Sequence, residues 1–526
     1  MIASVRTVSV VGLQPHEVEV EADVANGIPA FDIVGLPGTA VSESRARIRS
    51  AMRAASLKFP DTRLTVNMAP ADLRKEGPCF DLPIALAVAG AQDEIPGTAL
   101  AGVTALGELA LDGRVRGVPG VLPAAMHHRM LRPEAPFYLP EENVAEARNV
   151  SGLRLVAVAT LKEAVASLRE GSTRYEIAPG VPAAMADEDG YDGDLDFHDV
   201  RGQGMACRAL ALVAAGGHNA LLIGPPGSGK TMLAQRLGSI LPPLDEHEAL
   251  EVTQVYSVAR QLEPGQGLVR RRPFRAPHHS CSAAGLVGGG SYPRPGEMSL
   301  AHRGVLFLDE ALEFPRNVLE TLRQPLEKGT VTVSRASTAA CFPARFMLVL
   351  ALNPCPCGFL GDAERPCTCP PRRVQAYRAR LSGPLLDRVD VQLEVPRRSL
   401  TATDQGGPGP SSRDLAARVA EARARQHHRA RPRPGAVPRL NATLTPAEVR
   451  AFCAVPEAAR DLLDATTERL GWSRRTHDRV LRLARTVADF EGSDEIGEEH
   501  LLEAIAHRRA GFHALSSQPS AFSLVG

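Results

Sequence analysis

The chain has 526 residues, 44% of them hydrophobic, and its 60 basic side chains balance 60 acidic ones. That length suits roughly two to four domains with real cores, and the balanced charge supplies no global attraction to nucleic acid, so any such binding needs local basic patches. No run approaches the length of an apolar membrane span, and the amino terminus turns acidic and polar too early for a secretory signal. The expectation is a soluble, cytoplasmic protein without membrane contact.

Composition marks three modules, about 1–175, 197–396 and 440–515, with Gly/Pro-bearing, charge-rich linkers over 176–196 and 397–439. The first module mixes strand-like stretches (Val18–Val24, Leu64–Met68) with helical ones (Ser42–Ala55, Leu82–Ala91), an α+β pattern.

The second module opens with Gly224, Pro225, Pro226, Gly227, Ser228, Gly229, Lys230 and Thr231, set between the apolar run Ala220–Ile223 and a helical pattern beginning at Met232. A strand, a glycine loop and a helix in that order make a phosphate-binding loop. Its N–H groups curl around phosphates, Lys230 neutralises the β and γ oxygens, and Thr231 offers a hydroxyl to Mg²⁺. Only five lysines occur in the chain, at 58, 75, 162, 230 and 328. A compact ammonium at 230 in so arginine-rich a sequence reads as a chemical requirement. The stretch Gly224–Met232 is therefore the candidate ATP contact.

Between this loop and the next apolar strand, the surplus over about 258–296 holds Arg270 to Arg275, His278, His279 and glycines at 285 and 288–290. Positive charge on a mobile backbone is what gripping a polyanionic strand requires, although such stretches are also ordinary solvated surface. Gly304–Leu308 then runs into Asp309 and Glu310. A buried parallel strand ending in two carboxylates suits Asp309 as the Mg²⁺ partner and Glu310 as the base that orients and deprotonates the attacking water. The alternation of Gly329–Ser337 reads as a hairpin with Arg335 near its tip. Phe346–Leu352 leads into Asn353, whose amide can bond both water and γ-phosphate and so report that phosphate's presence.

Cys355, Cys357, Cys367 and Cys369 form two C-x-C pairs, enough for four thiolates to close tetrahedrally on one structural zinc, or to stay as reduced thiols in a loop. Cys79, Cys207, Cys281, Cys341 and Cys453 read as small buried hydrophobes. Arg413–Arg439 carries eight arginines against two acids and no aromatic residue, the composition of a flexible tether. Helical patterns follow over Pro456–Leu470, Thr476–Phe490 and Gly497–Ala510, with helix-start signals at Thr445–Glu448 and Ser493–Ile496.

In order, these elements resemble the AAA+ ATPases. The strings RPFRAPHHSCSAAGLVGGG, PGEMSLAHRGVLFLDEALEF, FPARFMLVLALNPCPCG and SGPLLDRVD are similar to the magnesium-chelatase-like branch and its YifB/ComM family over nearly the whole chain. The resemblance implies an α/β P-loop AAA+ core, an α-helical lid and a homo-hexameric ring with ATP between subunits. It makes Arg388 the arginine finger that reaches a neighbour's γ-phosphate, and Arg475, or adjacent Arg474, the sensor of the lid. It casts 258–296 as an insert projecting toward the pore and Gly329–Ser337 as a pre-sensor hairpin. Lys75–Ala85 and Gly107–Val115 resemble the ribosomal-S5/Lon-protease fold, in which Cys79 takes the serine position and Leu122 that of the lysine base. A thiol without its base implies a binding or ring-organising platform rather than a peptidase. The implied activity is a DNA motor, a branch-migration helicase serving recombination alongside recombination proteins. The alternatives are a magnesium-chelatase motor subunit and an ATP-driven protein-remodelling factor.

Overall fold

The computed structural model describes residues 2–170, 175–181, 195–263, 265–290, 292–335, 338–362, 364–397, 407–430 and 439–509. Strands Ile2–Val11 (β1) and Gln14–Ala25 (β2) form a long antiparallel hairpin in which Ile2 faces Asp23 and Val11 faces Gln14. Val18, Val20 and Ala22 are buried while Glu17, Glu19 and Glu21 lie toward the other face, the period of two expected for a sheet covered on one side. With Ala30–Val34 (β3), Arg63–Ala69 (β4), Thr104–Ala105 (β5), Pro136–Pro140 (β6), Arg154–Val158 (β7) and Glu176–Ile177 (β8) the sheet runs β8-β7-β6-β5-β1-β2-β4-β3. Its last strand falls within the stretch expected to be a linker.

Helix Thr39–Ala54 (α1) packs beside Asp81–Ala91 (α2), every residue of which is buried. The α2 N-terminus carries Asp81, and Arg47 closes on that carboxylate at 2.7 and 3.1 Å, so the buried charge is paired and lies at the positive end of the helix. Helix Val121–Leu131 (α3) covers the other part of the sheet.

After helix Gly204–Gly216 (α4), a second sheet is wholly parallel in the order β10-β11-β14-β9-β15. Here β9 is Ala220–Ile223, β10 Phe274–Arg275, β11 Val305–Leu308, β14 Met347–Leu352 and β15 Val391–Glu394. Every residue of β9, β11 and β14 is buried, as a sheet with helices on both faces demands. Lys230–Arg236 (α5) and Glu246–Ala259 (α6) follow β9. Strands Thr330–Arg335 (β12) and Thr338–Pro343 (β13) form the expected hairpin. Its two tip residues and the side chain of Arg335 lie outside the described residues.

Two expectations need correction. Over its described part the arginine-rich stretch is no tether: Ser412–Ala430 is a helix (α7) packed on α4, and residues 431–438 lie outside the described residues. Leu415, Val419 and Ala422 bury one face at helical spacing, and buried Arg423 donates twice, at 3.0 and 2.7 Å, to Ala214 O near the end of α4. The helix-start signal at Ser493 instead closes the preceding helix, because Ser493 N–H bonds Ala488 O and Arg485 donates to Ser493 O. Pro446–Phe452 (α8) does begin with the expected Thr445/Glu448 capping box. Glu457–Leu470 (α9), Arg474–Phe490 (α10) and Glu498–Arg509 (α11) complete the helical end, and residues 510–515 lie outside the described residues.

The first module docks on the second. Gly120 N–H bonds Ser257 Oγ at 3.0 Å, Asn149 donates to Gly267 O at 2.8 Å, and the Tyr292 hydroxyl bonds Val10 O. A Cβ on Gly12 would lie 2.7 Å from Ala340 Cβ, so the β1–β2 turn presses directly on β13. Glu146 is buried at this junction. Burial pushes its carboxyl up to about 7, against the opposing pull of Ser257, Asn143 and the Leu122 N–H. The raised value means the fold holds a proton that the unfolded chain releases near 4.5, so stability falls as pH climbs between the two. Glu146→Gln should therefore gain on the order of 2–3 kcal/mol over the parent at pH 8. The gain should vanish at pH 4, and thermal unfolding followed across that range checks both ends.

Candidate nucleotide-binding site

The β9 strand ends in a loop whose close packing selects glycine. A Cβ on Gly224 would stand 2.1 Å from Val395 O, and Gly227 and Gly229 hold φ of +76° and +88°. Gly229 caps α5, which begins at Lys230. Lys230 is 8% exposed and its Nζ donates to Gly224 O at 2.8 Å, Pro225 O at 2.9 Å and Asn353 Oδ1 at 3.3 Å. Burial lowers its pKa, an effect that Asp309 and Glu310 oppose. Gln203 steadies the loop from outside by donating to Ser228 O.

Thr231 Oγ1 donates to Asp309 Oδ2 at 2.6 Å, and with the Lys230–Asn353 bond this brings the loop, the end of β11 and the end of β14 to one point. A hydroxyl and a carboxylate side by side are hard oxygen donors that fit Mg²⁺. Glu310 follows in the left-handed region at φ 48° and ψ 46°, an uncommon conformation for a residue with a Cβ. Its carboxylate is exposed and stands 3.7 Å from His279 Nδ1. Sequence reasoning had given His279 to a DNA grip. The signal that would have placed it here is β10, whose chain direction carries His278 and His279 toward the same sheet end.

That strand also corrects the insert. Phe274–Arg275 is the edge strand of the central sheet, so the surplus between β9 and β11 is not all insertion. Arg272 donates to Pro242 O and Arg303 O and pairs with Glu248, while Arg275 closes on Glu297 at 2.7 and 2.8 Å. Two of the arginines expected to face a polyanion are thus committed inside the protein.

The four cysteines of 355–369 converge. Cys355 Sγ lies 3.3 Å from Cys357 Sγ and 3.6 Å from Cys367 Sγ, and the sulfur of Cys369 accepts the Cys357 N–H at 3.3 Å. All four sulfurs lie within 4.8 Å of one another. Gly358, in the same loop, abuts the phosphate-binding loop so closely that its Cβ would stand 2.5 Å from Pro226 Cδ. Among the remaining cysteines, Cys207 and Cys453 are buried and Cys79 and Cys281 partly so, but Cys341 is exposed, since β13 turns its alternate side chains outward.

Arg388 stands apart from this cluster. Its guanidinium bonds Pro384 O and Glu327. Arg474 and Arg475 open α10 with exposed side chains. In the first module, burial pushes the Cys79 thiol up to about 12, away from the thiolate form a nucleophile needs, and Leu122 is fully buried.

The family model for magnesium chelatase, subunit ChlI, matches residues 196–403; those for subunit ChlI of Mg-chelatase and its C-terminal region match 20–143 and 409–508. Competence protein ComM of Haemophilus influenzae is 42% identical over 501 residues, covering 94% of this chain and 95% of its own. The YifB protein of Escherichia coli is 41% identical over 511 residues, covering 96% and 97%. The chain belongs to the magnesium-chelatase-like YifB/ComM family. A YifB protein of Salmonella typhimurium shows the same 41% identity over 511 residues. The family is AAA+ ATPase-like, and the parallel sheet with its glycine loop agrees with that. Among the described residues no helix is long and apolar enough to cross a membrane.

Proposed function

We propose that this chain is a Mg²⁺-dependent AAA+ ATPase that works as a homo-hexameric motor on DNA, in the manner of a ComM-type branch-migration helicase. The observation that carries the ATPase reading is the convergence of Lys230, Thr231, Asp309 and Asn353 from three separate elements. Lys230 and the loop N–H groups bind the phosphates, Thr231 and Asp309 hold Mg²⁺, Glu310 orients and deprotonates water, and Asn353 senses the γ-phosphate. When bound, the metal supplies charge neutralisation at the phosphate oxygens. Arg388 completes a neighbour's site and Arg475 reads the nucleotide from the lid. In this reading the first module is an S5/Lon-like platform over about 1–175, followed by the AAA+ core over 197–396 and the lid over 440–515.

The DNA substrate rests on the similarity to a relative named a competence protein. ATP turnover is expected to rise severalfold with single-stranded or branched DNA and to lose that stimulation with salt. Turnover indifferent to DNA at every salt would sink the motor on DNA. It would favour the second reading, a motor serving a tetrapyrrole-bearing partner, to which the magnesium-chelatase family description points.

For the four cysteines we propose one structural zinc. A complete thiolate shell leaves no open coordination position, so the metal braces the loop against Pro226 and takes no part in chemistry. Elemental analysis should find about one zinc per chain, reduced to near none by a double Cys357→Ser, Cys369→Ser substitution. Parent protein without metal, in which Cys355, Cys357, Cys367 and Cys369 are all free to react with a thiol reagent, would refute the assignment.

A further inference from the structure

The backbone of Arg388 is held from two sides. Asn219, the residue preceding β9, donates its amide Nδ2–H to Arg388 O at 2.9 Å, and its Oδ1 accepts the Leu348 N–H of β14 at 2.8 Å. One side chain thereby ties Arg388 to the two strands that end in the phosphate-binding loop and in Asn353. From the other side comes Arg479 of α10, whose Nη1 donates to the same carbonyl at 3.2 Å and to Asp390 Oδ1 at 2.6 Å.

Asp390 is 5% exposed, so its charge must be met on every side. Besides Arg479 it accepts the Asn219 N–H at 3.1 Å, and His218 Nδ1 lies 3.3 Å from Oδ2. Burial alone would raise its pKa, yet Arg479, His218 and the Asn219 N–H together hold the carboxylate well below its ordinary range. From His218 the bonds continue into the helical end, through Nε2 to Thr486 Oγ at 2.8 Å and from there to Asn441 at 3.1 Å. The contact is thus a buried polar junction between the core and α10, not a swinging surface pair.

Arg479 lies one helical turn beyond Arg475 on α10. Any movement of that helix over bound nucleotide is delivered to the main chain of Arg388 by the one guanidinium nitrogen that also holds Asp390. We propose that Arg479 is a positioning residue that couples the lid of one subunit to the arginine it presents to the next, so that the nucleotide state of one site sets hydrolysis in its neighbour. This inference rests on the reading of Arg388 as a finger acting between subunits.

The two ideas fail separately. Arg479→Ala should lower ATP turnover between about tenfold and a hundredfold, since displacing a catalytic group by an ångström costs that much. The affinity for a fluorescent ATP analogue should stay within about twofold and the cooperativity of turnover in ATP should fall. The decisive measurement mixes Arg479→Ala chains with Glu310→Gln chains. If Arg479 serves the next subunit, its own site is intact and recovers activity when a Glu310→Gln neighbour offers a well-held Arg388. A defect confined to its own lid gives no recovery and overturns the inference.

Should Arg479→Ala fail to assemble, Arg479→Lys keeps a positive charge near Asp390 but ends one bond short of the Nη1 position that bonds both Asp390 and Arg388 O. It should show the same recovery in mixed rings, and full turnover with unchanged cooperativity would overturn the inference. If Arg388→Ala itself leaves turnover intact, the finger reading falls and this coupling falls with it. Loss of turnover in Arg388→Ala without loss in either Arg479 variant would overturn the coupling alone.

Discussion

Glu310→Gln is expected to keep ATP binding and to lower hydrolysis by about 10²–10⁴-fold, the usual worth of a positioned base. The side-chain volume is unchanged and the amide can still orient a water molecule, but it cannot take its proton. No hydrogen bond of the phosphate cradle comes from the Glu310 side chain: Lys230 is held by Gly224, Pro225 and Asn353, and Thr231 by Asp309. Binding and turnover should therefore separate cleanly, as read by a fluorescent ATP analogue beside a phosphate-release assay. Turnover within a few-fold of the parent would remove Glu310 from the base role. A parallel His279→Ala variant is informative, since His279 Nδ1 stands 3.7 Å from the Glu310 carboxylate and Glu310 is held at φ 48°. Loss of that partner should lower turnover less than loss of the base itself.

The parts of this molecule that were legible in the sequence are those fixed by local chemistry. Gly224–Thr231 announces itself because only glycine tolerates the 2.1 Å approach to Val395 O and the positive φ at 227 and 229. The apolar runs before Asp309 and Asn353 could only be buried strands, and they are fully buried. The two C-x-C pairs stood out because cysteine is scarce and their spacing lets four sulfurs meet, which they do.

What the sequence concealed depends on partners distant in the chain. Arg272, Arg275 and Arg423 looked like solvated charge, but each meets an acceptor brought by folding: Glu248, Glu297 and Ala214 O. Long arginine stems can lie along apolar surface while the head finds a carbonyl, so an arginine-rich stretch such as Ser412–Ala430 can still be an amphipathic helix. A two-residue edge strand at Phe274–Arg275 has too little pattern to separate it from a loop, and its loss from the reading displaced His279 as well. Asn219 carried no motif at all and Asp390 only its place at the end of SGPLLDRVD, yet Asn219 bonds the main chain of Arg388 and Asp390 holds Asn219.

Arg388→Ala should lower hydrolysis by about 10³–10⁵-fold, the range an arginine supplied to a phosphoryl-transfer site is worth. Within its own chain Arg388 bonds Pro384 O and Glu327 and none of the residues around Lys230, so a large effect on turnover would point to another subunit's nucleotide. Loss of turnover through misfolding is separable, because the Asn219 and Arg479 bonds go to the main-chain carbonyl and survive the substitution. Size-exclusion profiles and thermal unfolding should match the parent. Mixing then tests the geometry. A ring of like subunits has head-to-tail interfaces, so in a random equal mixture of Arg388→Ala and Glu310→Gln chains about a quarter of the interfaces pair an intact base with an intact arginine. Roughly a quarter of the parental rate should return if sites fire independently, and less if they fire in strict sequence. No return of activity from two proteins that assemble together would mean that Arg388 acts on its own nucleotide or on none.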